Sequence, residues 1–333
     1  MDSLRTALIA TAAAAVGLGS VGALAETAWI MASGYPEDNF HTENIRMFIE
    51  EVEEKTGGEM QIELHSNDTL IKLDSIKRAV QIGQVPIGEI RIGVYGNEDP
   101  MNVLESLPFV APTYECAGLL MEAQAPYFDR TFGEENIKIL AYSPWPGQGF
   151  YTKVPVETVE DFKGRKLRIY STATQQMGNM LGFQATILPF AEVPQAFATG
   201  LIEALFTSAQ TGIDTQAWDN TEYFTYAGAM FNKNAIIVSK DAFEELDPEL
   251  QQALIEAGKT ATERAWKMSR ETNERQMETL AEHGMTVTEA PPPVVERMKE
   301  IGEVMMEDWK KTASPEAVEV LEEYLAKRGQ CLA

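Results

Sequence analysis

Apolar residues recur along this chain with two periods, and the switching between them sets out the fold. Thr27 to Met31 alternates as a short strand, with Trp29 and Met31 on one face, until Ser33-Gly34-Tyr35-Pro36 breaks it. Ile45, Phe48, Ile49 and Val52 then share one face of a helix that Gly57-Gly58 stops. Met60, Ile62 and Leu64 alternate again. Leu73, Ile76 and Val80 make the next helix face, ended near Gly83, and residues 85–92 read as a strand carrying Glu89 and Arg91. Strands and helices in this order predict a mostly parallel sheet.

Further on, Cys116, Leu119, Leu120 and Met121 open another helix, and Ile137, Ile139 and Ala141 lead a strand into Ser143-Pro144-Trp145-Pro146-Gly147-Gln148-Gly149. Alternation resumes at Phe150. Two prolines and two glycines inside a strand pair predict a crossing between domains. The stretch from Asp161 to Ser208 then repeats the strand-helix order. Leu167 and Ile169 alternate with Lys166, Arg168 and Tyr170 as in a half-buried strand, and Ser171, Thr172, Thr174, Gln175 and Gln176 begin a helix. A second strand (Ala185 to Leu188), a short helix opened by Pro189-Phe190-Ala191-Glu192 and stopped by Gly200, and a third strand ending in Thr207-Ser208 follow. Polar groups therefore collect where strands end, the edge at which open α/β sheets bind ligands.

The last third reads as a helix over Trp218 to Tyr226, a strand over Asn234 to Val238 and a short helix over Lys240 to Leu246. Asp247-Pro248 then starts a helix running to about His283, a length suited to bracing two domains. A short strand at Met285 to Val287 and two amphipathic helices, about Val294 to Lys311 and Pro315 to Arg328, close the chain.

Composition narrows the partners. At 333 residues the chain has room for two domains. Its formal net charge of −24 argues against nucleic acid and anionic lipid, which need a basic face. Residues 1–25 read as an export signal. Arg5 precedes a small-residue apolar run from Ala7 to Gly22, and Ala23-Leu24-Ala25 fits a small-x-small cleavage site before Glu26. The run is short for the alternative, a membrane anchor, and no other segment approaches a span. Cys116 and Cys331 can pair in an oxidising compartment, which the sequence leaves open. With three scattered histidines (His41, His65, His283) they make no zinc spacing, so neither metal nor cofactor is expected.

Arg168 is the leading binding candidate. A guanidinium offers a planar fork of donors that matches a carboxylate. The plainer reading is an exposed side chain or an ion pair with Glu157, Glu160 or Asp161. Arg91, near a strand end before the glycines at 93 and 96, is the second candidate cation, against a solvated residue beside Glu89. Trp145 reads equally as pocket wall or hinge packing.

DFKGRKLR at 161–168, followed by FAEVPQAFATG at 190–200, resembles the solute-binding proteins of tripartite ATP-independent periplasmic (TRAP) transporters, the DctP family. FIEEVEEKTGGEMQIEL at 48–64, SLPFV at 106–110 and NAIIVSKDAFEELDPELQQAL at 234–254 extend the likeness over essentially the whole mature chain. The resemblance implies an α/β fold, a two-lobe periplasmic binding protein with a long domain-spanning helix. One lobe would comprise 26–145 plus about 233–270, the other 146–232 plus about 271–333. It implies that Arg168 grips a ligand carboxylate, with Tyr170, Ser171 and Phe190 nearby. Thr207 or Ser208 stands where the family often has Asn, and Gln148 where it often has a second Arg. Arg91 would then supply another anchor, and Tyr35 and Trp145 complete the expected set. The lost charge at Gln148 disfavours sialic-acid-like and simple dicarboxylate ligands, and WPGQGFYTK at 145–153 and TSAQTGID at 207–214 resemble a subgroup associated with monocarboxylates, so the expected ligand is a mono-, aromatic or hydroxy-carboxylate.

The function so implied is periplasmic capture of an organic acid and its delivery to the small and large membrane permease subunits, without catalysis. A secreted hydrolase is the alternative, although no G-x-S-x-G elbow is present and the histidines are isolated. A sensory protein that presents its liganded form to a receptor would share the same fold.

Overall fold

The structure, a computed structural model, describes residues 27–332. The expected export signal at 1–25 lies outside the described residues. The chain opens with β1 (Thr27–Ala32), α1 (Phe40–Lys55), β2 (Met60–His65), α2 (Ile76–Gln81), β3 (Ile87–Arg91), α3 (Tyr114–Glu134) and β4 (Ile137–Pro144). Asn39 starts α1 by accepting from the His41 amide at 2.9 Å, and the helix buries Ile45, Phe48 and Val52. As the pattern predicts, β2, β1 and β3 pair in parallel.

The middle of the chain supplies β5 (Gln148–Thr152), β6 (Lys166–Ile169), α4 (Thr172–Met180), β7 (Gln184–Ile187), α5 (Val193–Ala198), β8 (Ala204–Ser208), α6 (Ala209–Asp214) and β9 (Tyr223–Tyr226). After β10 (Lys233–Ser239) come α7 (Lys240–Glu244), α8 (Pro248–Glu282), β11 (Thr286–Glu289), α9 (Pro292–Thr312) and α10 (Pro315–Lys327). The strands form two sheets, β2-β1-β3-β10-β4 and β11-β9-β5-β8-β6-β7. β4 and β5 thus belong to different sheets, and residues 145–147 carry the chain across. The return crossing precedes β10, and the Trp145 amide donates to the Asn232 carbonyl at 2.7 Å, tying the two crossings together.

The 35-residue α8 braces the halves, packing on α1 and β4 at its start and on α6 and β11 farther along. Its approach to β4 requires Gly258, where a Cβ would stand 2.2 Å from the Leu140 carbonyl oxygen. Chain order alone groups 271–333 with the second lobe; the contacts of this tail run to both halves. β11 joins the second sheet, α9 touches both α4 and the turn Pro100–Ser106, and α10 packs on α3. Cys116 and Cys331 form a disulfide that ties the tail to α3 across 215 residues of sequence. Among the described residues no helix is long and apolar enough to cross a membrane.

Two expectations change. β6 is not half-buried: Leu167, Arg168 and Ile169 are all buried, because β6 is an interior strand between β8 and β7. The helix expected over Trp218 to Tyr226 is instead a single 3-10 turn, Ala217–Asp219, followed by β9. Gln216, with φ of 49°, ends the preceding helical path, and Tyr223-Phe224-Thr225-Tyr226 is a run of strand-favouring side chains.

Candidate functional site

β6 runs parallel to both neighbours, and Arg168 lies at its carboxyl end. It is 1 % exposed. Its Nε donates to the Leu188 carbonyl at 3.0 Å, but Nη2 is buried with no hydrogen-bond partner. The ion pairs expected with Glu157, Glu160 or Asp161 do not form: Asp161 instead accepts from the Glu157 and Thr158 amides, at 2.9 and 2.8 Å. Burial, then the charge of Arg91, pushes the Arg168 guanidinium down to about 9.

Arg91 comes from the other sheet, at the end of β3, and is also buried. Its Nη2 donates to the Tyr170 carbonyl at 3.4 Å, and its Nε is buried without a partner. The Tyr170 ring lies near both cations, 4.8 Å from the Arg91 guanidinium carbon and 5.7 Å from that of Arg168. Among the described residues neither arginine forms an ion pair with a carboxylate.

The two arginines line a narrow cleft between the sheets with a cavity volume of about 10 Å³, close to that of one water. Tyr35, from the loop after β1, meets Trp145 at 5.1 Å and Phe190 at 5.5 Å between ring centroids, making an aromatic wall. The Tyr35 hydroxyl is buried without a partner, and burial raises its pKa. Trp145 is held from behind. Its Nε1 donates to Asn234 Oδ1 at 2.7 Å, and Asn234 Nδ2 donates to Glu89 Oε1 at 2.8 Å. Ser33 Oγ donates to the other Glu89 oxygen at 2.6 Å, and burial pushes this carboxyl up to about 7. Trp145 is therefore both cavity wall and crossing-point residue.

Gln148, the first residue of β5, completes the second lobe's side. Its Nε2 donates to the Pro146 carbonyl at 3.2 Å, which turns Oε1 toward the Tyr170 hydroxyl, 3.2 Å away. That hydroxyl also reaches Asn232 Oδ1 at 2.9 Å, and Asn232 Nδ2 donates to Ser106 Oγ at 2.5 Å. Thr207, from the end of β8, lines the cavity.

Ser171 and Ser208 do not line it; each caps a helix. Ser171 Oγ accepts from the Thr174 amide at 3.2 Å and Ser208 Oγ from the Thr211 amide at 3.3 Å. Asn232 and Thr211 do line it and were not singled out from sequence. For Asn232 the available signal is an Asn just before a crossing strand. For Thr211 it is the polar first turn of a helix that follows a strand end.

The lobes also meet outside the cavity. Asn39 Nδ2 donates to Asp214 Oδ2 at 2.8 Å, and Gln210 Nε2 donates to the other carboxylate oxygen at 2.6 Å. Burial pushes the Asp214 carboxyl up to about 7. Chemically, the cavity offers buried cationic donors without a countercharge, neutral amide and hydroxyl groups, and flat apolar walls. That is a site for a small anion with an apolar body. Among the described residues no group of three or more His, Cys, Asp or Glu side chains is placed to hold a metal.

Known proteins share this fold. Residues 31–314 match the sequence model of DctP, bacterial extracellular solute-binding protein family 7. The fold superposes on DctP7, a Bordetella pertussis extracytoplasmic solute receptor binding pyroglutamic acid, with a TM-score of 0.88 and 38 % identity, covering 90 % of this chain and 99 % of that one. DctP6 of the same organism, also a receptor binding pyroglutamic acid, gives 0.88 and 37 %, covering 90 % and 100 %. The C4-dicarboxylate-binding periplasmic protein DctP of Rhodobacter capsulatus is 24 % identical over 294 residues, 84 % of this chain and 85 % of that one. The chain belongs to the DctP family, the extracytoplasmic solute receptors of TRAP transporters.

Proposed function

We propose that this receptor captures a short monocarboxylic acid in the periplasm, with pyroglutamate as the first ligand to test, and delivers it to the membrane subunits of a TRAP permease. The observation that carries the reading is the buried Nη2 of Arg168, which has no hydrogen-bond partner and forms no ion pair with a carboxylate. A ligand carboxylate supplies both. Each hydrogen bond to a charged group contributes roughly 1.5–3 kcal/mol net. Arg91, Tyr35, Gln148, Asn232 and Thr207 remain for a second polar group such as a lactam, and Trp145, Tyr170 and Phe190 for an apolar ring. The two Bordetella receptors that bind pyroglutamic acid support this choice at 37–38 % identity. The cavity's small size supports a compact ligand.

Binding is coupled to hinge closure, with residues 145–147 and the segment before β10 as the crossings that flex. The ligand bridges Arg168 of one lobe and Arg91 of the other, so it stabilises the closed arrangement over the open one. Receptors of this kind release their ligand unchanged, so chromatography after incubation should recover it intact.

A thermal-shift series with the mature protein tests the reading. Pyroglutamate at a hundred times its dissociation constant adds about 2.7 kcal/mol of stability, while neutral sugars add none. Failure of every carboxylic acid tested to shift the transition would reject it. Reconstitution with the small and large permease subunits, with and without receptor, tests delivery.

A further inference from the structure

Behind the aromatic wall lies a second chamber. It has a volume of about 430 Å³, partly open to solvent, between the loops of the first lobe at Gly34, Asp68 and Leu73 and the segment Pro189–Glu192 of the second. Its lining and that of the inner cavity have one residue in common, Phe190. The Phe190 ring is half-buried, with Tyr35 edge-on at 5.5 Å on its inner side. Its backbone is set by Pro189 and the 3-10 turn Phe190–Glu192. Leu188, two residues earlier, holds Arg168 through its carbonyl, so the ring stands beside the anchor of the inner cavity.

We propose that Phe190 is the partition that sets how long a ligand this receptor accepts, and that removing its ring joins the two chambers for a longer carboxylic acid with a neutral or cationic far end. This rests on the carboxylate-receptor reading and deepens it. Phe190 is the residue the two linings share, and its ring stands against Tyr35, so truncating that ring removes the contact between the pockets without rebuilding a loop. The inner chamber holds the two arginines and takes the carboxylate. The outer one has Asp68, Asp74 and Glu192 against Lys72, so it favours an ammonium and disfavours a second carboxylate. Asp68 is fixed there, with its Oδ1 accepting from the Leu73 amide at 2.8 Å. In the intact protein the ring shuts this chamber off, and selection for short acids follows from shape.

Calorimetric titration of the wild type and Phe190→Ala with pyroglutamate, ε-aminocaproate and adipate tests the assignment. Wild type should bind pyroglutamate and reject the two longer acids. In Phe190→Ala, affinity for ε-aminocaproate should rise relative to pyroglutamate by at least roughly tenfold, the scale on which a few methylenes are discriminated in an apolar pocket. Adipate should gain less than ε-aminocaproate. Loss of the ring as mere packing would weaken every ligand in proportion; that result, or an equal gain for adipate, overturns the proposal. Phe190→Leu provides the same comparison with less lost volume should the alanine variant not fold. If wild type binds pyroglutamate and the ratio stays fixed in both variants, only the partition falls. If wild type binds none of the three acids and no other carboxylic acid shifts its thermal transition, the reading beneath it falls too.

Discussion

Two buried cations in this molecule differ in what meets them. Lys233, at the start of β10, is fully buried and forms an ion pair with Glu105, while Gln124 Oε1 accepts from its Nζ at 3.2 Å. The Lys233 backbone amide donates to the same Glu105 carboxylate at 2.6 Å. Arg168 is buried as deeply, yet it meets one backbone carbonyl and no acid, and part of its fork is unpaired. An uncompensated buried ion costs several kcal/mol. The fold explains Lys233 from within; on the proposed reading, the counterion of Arg168 arrives from outside. Arg91 belongs with Arg168: it too is buried, has an unpartnered Nε and lines the same cavity.

The contrast can be broken from the Lys233 side first. Glu105→Leu makes Lys233 resemble Arg168 and should cost about 3–5 kcal/mol in denaturant unfolding, while the folded fraction keeps its ligand affinity. A smaller effect is expected at the second cation of the site. Arg91→Met should weaken pyroglutamate by about 1.5–3 kcal/mol in calorimetry and leave the stability of the free protein nearly unchanged.

The smallest effect concerns the carboxyl between the lobes. Asp214 is held by Asn39 and Gln210, with Asp38 as a nearby like charge, and burial pushes it up to about 7 from an ordinary value near 3.8. The closed form therefore binds a proton more tightly than an open one. Its advantage is fully present below about pH 4, falls as the pH rises toward 7, and is gone above that. Ligand affinity should fall between about pH 4 and 7 and level off above, and Asp214→Asn should flatten that slope. A slope that persists unchanged in the variant assigns the titration elsewhere.

Much of this arrangement was legible in the order of residues. Period-two and period-3.6 patterns placed most of the strands and helices, and the Pro-Gly-rich stretch around Trp145 marked the crossing. Arg168 could be singled out because it ends a strand in a strand-helix-strand unit. Arg91 could be singled out at its strand end, but local pattern carries no interlobe distance, so its place opposite Arg168 could be expected only from the resemblance. Ser171 and Ser208 show a different limit. A hydroxyl at a strand end that is also a helix start reads equally as ligand donor and as cap, and here the caps win. β6 misled because alternation reports one covered face, whereas an interior parallel strand is covered on both. There, a charge on the apparent polar face is a buried charge, which makes Arg168 a stronger candidate than its pattern implied.

The most direct test titrates wild type and Arg168→Ala with pyroglutamate and with its neutral amide. The unpaired-cation account predicts that the substitution weakens the acid by about 2–5 kcal/mol and barely changes the amide. Unchanged affinity for the acid, or an equal loss for both ligands, would contradict it.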